Sequence, residues 1–143
     1  MKATMFLCDS AQVANGKLYI MGGGWSTTGP DPTPSAVAIK LDVAASEIDQ
    51  VHDWSIALTD ADGRHVPIDT GAGPRPIEVK GTFAATRPPD MTDTMSVDVA
   101  IAVNIGPLVL PLDSRYVWTL RVDGHSDPSW TLSFSTRPAL AKE

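Results

Sequence analysis

"SVDVAIAVNI", residues 96–105, is the stretch that decides the fold. Val97, Val99, Ile101, Val103 and Ile105 stand at every second position, with Ser96, Asp98, Ala100, Ala102 and Asn104 between them. A period of two puts one set on a dry face and the other on a wet face, as in a half-buried strand. An amphipathic helix would need a repeat near 3.6. The same alternation recurs on both sides of this stretch. "YVWTLRVDG" aligns Tyr116, Trp118, Leu120 and Val122, and "WTLSFST" aligns Trp130, Leu132 and Phe134. Upstream, Trp54, Ile56 and Leu58 share a face, as do Ile77, Val79 and Phe83, and Val37, Ile39, Leu41 and Val43. The opening run "ATMFLCDS" alternates weakly and reads as a strand buried on both faces.

Turn chemistry separates these runs. Asp-Gly occurs in "DADGR" (60–64) and "VDGHSDP" (122–128), and Asn15-Gly16 joins the first two strands; each is a tight-turn signal. The proline loops "GPDPTP" (29–34) and "TRPPD" (86–90) cannot lie in a central strand. Only "AASEIDQ", Ala44 to Gln50, offers a helical turn or two. The expected fold is therefore all-β, an antiparallel β-sandwich of Ig-like or jelly-roll-like type with at most one short helix. It is read as a single domain over residues 1–143.

Composition narrows the function classes. The 143 residues carry a formal charge of -6, and the basic residues are scattered singly. Such a chain repels phosphate backbones, so no nucleic-acid partner is expected. No apolar run is long enough for a membrane span, and the N-terminus lacks the pattern of a signal peptide. Cys8 is the one cysteine and cannot form an internal disulfide. Together these features predict a cytoplasmic protein.

Two segments resemble a known family. They are "DSAQVANGKLYIMGGGW" (9–25) and "RYVWTLRVDG" (115–124) followed by "WTLSF" (130–134). They are similar to a family of small bacterial proteins known only as a domain of unknown function. The Gly-Gly-Gly-Trp opener is its most specific mark. The resemblance implies a β-sandwich-like domain and assigns no catalytic residue.

Gly22, Gly23 and Gly24, followed by Trp25, are the strongest candidates for a ligand site. A phosphate loop would need a helix behind the glycines and usually a lysine. Neither is present, for no Lys or Arg follows before Lys40. The glycines read as a bend or bulge. Trp25 reads as a partly exposed wall of a pocket shared with the proline loop Gly29 to Pro34, and a carbohydrate is the first ligand to consider. Trp54, Trp118 and Trp130 read as core.

Other constellations read as structure. His125, Ser126 and Asp127 are neighbours in a turn and are expected to form no triad. Asp60, Asp62 and Gly63 start like a calcium loop but lack its remaining ligands; Asp31, Asp90 and Asp93 lie in other acidic loops. His52, His65 and His125 read as exposed turn residues without metal spacing. No catalytic residue, metal ligand or cofactor is therefore expected. The expected function is a non-enzymatic module that meets a protein partner or associates with itself as a homo-oligomer. The alternatives are a small-ligand binder at Trp25 and an accessory or structural protein of a phage-like particle.

Overall fold

The computed structural model describes residues 1–69, 71–92 and 94–140. Its strands are β1 (Lys2–Cys8), β2 (Ser10–Ala14), β3 (Lys17–Met21), β4 (Thr27–Thr28), β5 (Ala36–Val43) and β6 (Val51–Asp60). They continue with β7 (Pro67–Asp69), β8 (Pro74–Pro76), β9 (Glu78–Ala84), β10 (Val97–Asn104), β11 (Arg115–Val122) and β12 (Thr131–Thr136). A single 3-10 turn, Ala45–Glu47, is the helical element among the described residues, within the segment expected to supply one.

Two sheets make the sandwich. One is three-stranded in the order β1-β5-β10, and the other five-stranded in the order β4-β12-β11-β6-β9. All neighbours are antiparallel except β4 and β12, which run parallel through Thr27–Ser135 and Thr28–Thr136. Two small ribbons, β2-β3 and β7-β8, complete the fold.

The alternation in the sequence becomes the core. Val37, Ile39, Leu41 and Val43 of β5 meet Ile56 and Leu58 of β6, Trp118 and Leu120 of β11, and Phe134 of β12 in one buried cluster. Removing each such side chain from water stabilises the fold by about 1.5–3 kcal/mol. Trp118 (1% exposed) and Trp130 are buried as expected. Trp54 is only half-buried, because it lies over Gly81 near the sheet edge; a Cβ on Gly81 would come within 2.7 Å of the indole.

The N-terminal segment departs from its reading. Lys2, Thr4 and Phe6 of β1 face outward, and only Leu7 and Cys8 at its end are enclosed from both sides. The cause is the β2-β3 hairpin. Asn15 and Gly16 take positive φ angles of 52° and 73°, closing a two-residue turn between β2 and β3. The hairpin lies over the outer face of the three-stranded sheet, where Cys8, Ala11, Ala36 and Ala38 form a second buried cluster with Leu18 and Ala102 packed against it. Small side chains allow this close approach. The Asn104 side chain fixes it, donating to the Ala11 carbonyl at 2.7 Å and accepting the Ala11 N–H at 3.1 Å.

Candidate functional site: an apolar cleft beside Trp25

The glycine run is a bend that delivers Trp25. Gly22 and Gly24 adopt φ of +62° and +89°, where glycine is favoured. The Gly24 N–H donates to the Leu7 carbonyl at 2.7 Å. The Asp9 N–H donates to the carbonyls of Met21 and Gly22 at 3.0 and 3.2 Å. These bonds tie the bend to the end of β1. Beyond it, Trp25 turns inward and meets Phe134 edge-on, with ring centroids 6.0 Å apart at 85°.

Trp25 lines a cleft of about 210 Å³. Its floor is Trp118, Phe134 and Thr136, on the inner face of the five-stranded sheet. One wall is the proline loop, including Gly29, Pro30 and Pro32; the other is the segment 105–114, through Leu108, Leu110 and Leu112. Here two loops rather than strands cover the inner face of the larger sheet. Of the four residues expected at a ligand site, Trp25 and its neighbouring proline loop come together at the cleft. Gly22, Gly23 and Gly24 do not line it, because their bend carries the chain away from β3 and across to the cleft wall.

Both walls are pinned. The Ser35 carbonyl accepts the N–H groups of Ile105 and Gly106, and the Ser35 hydroxyl donates to the Gly106 carbonyl at 3.1 Å. The Pro111 carbonyl accepts the Tyr116 hydroxyl at 2.8 Å and the Thr136 hydroxyl at 2.9 Å. The Arg137 N–H donates to Thr28, and its guanidinium reaches the Gly29 carbonyl at 3.3 Å. The cleft is thus preformed. The Trp25 Nε1–H itself is enclosed and meets no protein acceptor.

The larger groove on the outside of the same sheet has a different character. Asp53, Glu78, Lys80 and Arg121 border it, and Lys80 pairs with Glu78 at 3.1 Å. It is an open, mixed-charge surface, where solvent screening weakens such pairs.

The remaining motifs are used internally. The Ser126 hydroxyl donates to the Leu120 carbonyl, and Asp127 accepts the Ser129 N–H and hydroxyl, so His125, Ser126 and Asp127 make no relay. The Asp60 carboxylate accepts the N–H groups of Asp62 and Arg64, which closes its own loop. Among the described residues, no three His, Cys, Asp or Glu side chains gather at metal-binding distance. Asp31 stands at the cleft rim, and Asp93 lies outside the described residues. Cys8 is buried and donates weakly to the Ala36 carbonyl; burial, then the neighbouring Asp9, pushes its thiol pKa up.

His52 overturns its reading as an exposed turn residue. It is 4% exposed and stacks on Phe83 at 5.1 Å. Its Nδ1 lies 2.7 Å from the Asp123 carboxylate and its Nε2 lies 2.7 Å from the Glu47 carbonyl. Both partners are acceptors, so both nitrogens donate only when the ring is an imidazolium. The Asp123 bond, and then the Glu47 carbonyl, hold the His52 pKa above its ordinary 6.5 against the opposing effect of burial. The His52 bond, and then the Asp53 N–H, hold Asp123 below the usual carboxylate value. The sequence carried a signal for this burial. His52 is two residues before Trp54, so it continues the inward series Trp54, Ile56 and Leu58.

Fold and site together define an all-β sandwich domain with a preformed apolar cleft at one end. The chain belongs to a family of unknown function, DUF6941, which it matches over residues 3–135. No curated protein and no solved structure matches it. Among the described residues, no helix is long and apolar enough to cross a membrane.

Proposed function

We propose that this chain is a non-enzymatic binding module whose ligand site is the cleft beside Trp25. One observation carries the reading: an apolar cleft, continuous with the core, is held open by two loops hydrogen-bonded at their roots. Preformed apolar concavities with few polar groups are the usual form of small-ligand sites. The polar side chains around the cleft serve the backbone, and no nucleophile sits beside a base there. The acidic charge disfavours nucleic acid, and the single buried thiol accords with a cytoplasmic location. The test is a ligand screen read by thermal shift and tryptophan fluorescence. Stabilisation by a small molecule, lost in Trp25→Ala, is the expected result. A broad screen without any stabilising compound sinks the reading.

A second reading, self-association, rests on the hairpin. Tyr19 (55% exposed) and Met21 (70%) point outward from β3, and Phe6 (47%) is exposed on β1. Large exposed apolar side chains such as Tyr19 and Met21 favour a protein surface over water. The expected partner is a second copy of this chain. Native mass spectrometry should show a dimer that Met21→Lys weakens; a monomer at all concentrations removes this reading.

A further inference from the structure

We infer that the β10 edge of the smaller sheet is an interface, where a second copy of this chain adds its own β10 antiparallel about a two-fold axis at Ala100 to make one continuous sheet. The partner is the one considered for the hairpin, but the surface is different and needs neither the hairpin nor the cleft.

Register shows which backbone groups are free. Val97 faces Val43 across β10 and β5, Val99 faces Leu41, Ile101 faces Ile39, and Val103 faces Val37. Ile105 and Ser35 continue that register, and the Ile105 N–H donates to the Ser35 carbonyl at 2.9 Å. Backbone groups alternate in direction along a strand, so the odd-numbered residues of β10 bond to β5. The N–H and C=O groups of Asp98, Ala100, Ala102 and Asn104 therefore point to the open edge. Among the described residues, no backbone bond outside the β5 ladder takes them.

The other edges are blunted. β4 has two residues, and β9 carries Glu78 and Lys80. On β1 the Leu7 carbonyl accepts the Gly24 N–H, and Lys2 stands at the far end. Short strands, charges and covering loops are the usual protection of an edge. β10 carries only Asp98, near one end, which Lys40 approaches at 3.5 Å. On its inner side Val97, Val99 and Ile101 pack on the core yet stay half-buried.

A second copy fits this edge. An axis at Ala100 sets Val99 opposite Ile101 and Val97 opposite Val103, apolar against apolar on the inner face. On the outer face Asp98 meets Ala102 and Ala100 meets Ala100, so no like charges are opposed. Asp98, Ala100 and Ala102 exchange about six N–H···O=C bonds with their counterparts. A slip by one residue would set the polar face against the apolar one. A slip by two either shortens the ladder or sets Asp98 against Asn104, whose side chain is committed to Ala11.

The experiment is native mass spectrometry of the untagged full chain across concentration, with thermal unfolding to report that each variant folds. Wild type should form a dimer. Ala100→Pro removes an edge-facing N–H and no bond to β5, a change that an edge strand tolerates. It should raise the dimer Kd about thirtyfold, the ratio of two net hydrogen bonds. Ala100→Glu sets a carboxylate across from Lys40 within the chain and opposite its own copy across the axis. It should weaken the dimer, as should Ala100→Lys. Mixed together, with one of them ¹⁵N-labelled, these two variants should pair preferentially as a heterodimer, because unlike charges then meet. A wild-type monomer at all concentrations, a dimer unchanged in Ala100→Pro, or random pairing in the mixture overturns the β10 interface. A dimer lost in Met21→Lys and kept in Ala100→Pro also overturns it and returns the contact to the hairpin.

Discussion

At its Arg115 end β11 runs into the cleft, and at its Val122 end it reaches His52. Polarity is handled in opposite ways at the two ends. Around His52 each charged or polar atom has a partner: imidazolium with carboxylate, imidazolium with carbonyl, carboxylate with the Asp53 N–H. The N-terminal amine extends the network, lying 3.3 Å from Glu47. At the cleft end the Trp25 indole N–H is enclosed without a protein acceptor. A satisfied polar knot contributes to stability, whereas an enclosed unpaired donor costs about 1–3 kcal/mol. The first arrangement belongs to structure. The second leaves one donor uncompensated within the fold.

Substitutions at five positions press on this contrast. The largest loss is expected from Phe134→Ala, which removes the ring beneath Trp25 from the buried core. It should cost about 3–5 kcal/mol in chemical denaturation. A cost under about 1 kcal/mol would show that the cleft floor is not part of the core.

His52→Ala should cost about 1–3 kcal/mol, since Asp123 and the Glu47 carbonyl lose their donor. Its pH signature is more diagnostic. His52 has a raised pKa, so its contribution is complete below its ordinary 6.5 and fades as pH rises through the folded value. Asp123 has a lowered pKa, so its contribution is present above its ordinary 3.8 and fades as pH falls through the folded value. The knot is therefore strongest between those two ordinary values. Wild-type stability should decline above pH 6.5 more steeply than that of His52→Gln. Parallel profiles would mean that folding leaves the His52 pKa unmoved.

Gly22→Val should cost about 1–2 kcal/mol, because φ is positive there and a Cβ would collide with the Asp9 carboxylate. Gly23→Val should cost less: φ is not in the left-handed region, and its Cβ crowds an Ile20 methyl at 2.8 Å, with Cys8 Cβ at an ordinary 3.7 Å. A reversed order would place the essential strain at the wrong glycine.

The smallest effect is the sharpest test of the contrast. Trp25→Phe removes the unpaired donor and keeps an aromatic wall, so stability should stay within about 1 kcal/mol of wild type. A loss as large as that of His52→Ala would mean that the indole N–H has a structural partner.

The strands were legible because their buried faces recur with period two, and turn residues mark most of their ends. Trp25 was legible as an unusual aromatic, since no strand pattern claimed it. Other parts were not. Ala36 and Ala38 alternate with buried residues and so look outward, yet they are buried because the hairpin lies over them. That docking is long-range, and nothing local to β5 announces it. The wall formed by Leu108, Leu110 and Leu112 drew no reading from the sequence. Its alternating leucines, interrupted by prolines, cover a face that the smaller sheet leaves to loops. Trp54 shared the period of buried Ile56 and Leu58, but its place near the sheet edge leaves it half-exposed.

The position of Cys8 has a practical consequence. A thiol reagent in solution can reach it only after the β2-β3 hairpin lifts from the three-stranded sheet, because Ala11 and Leu18 lie in the way. The protein therefore carries a native stopwatch for one motion. The rate of single-site labelling, compared with the rate of global unfolding, times the opening of that flap without any introduced probe.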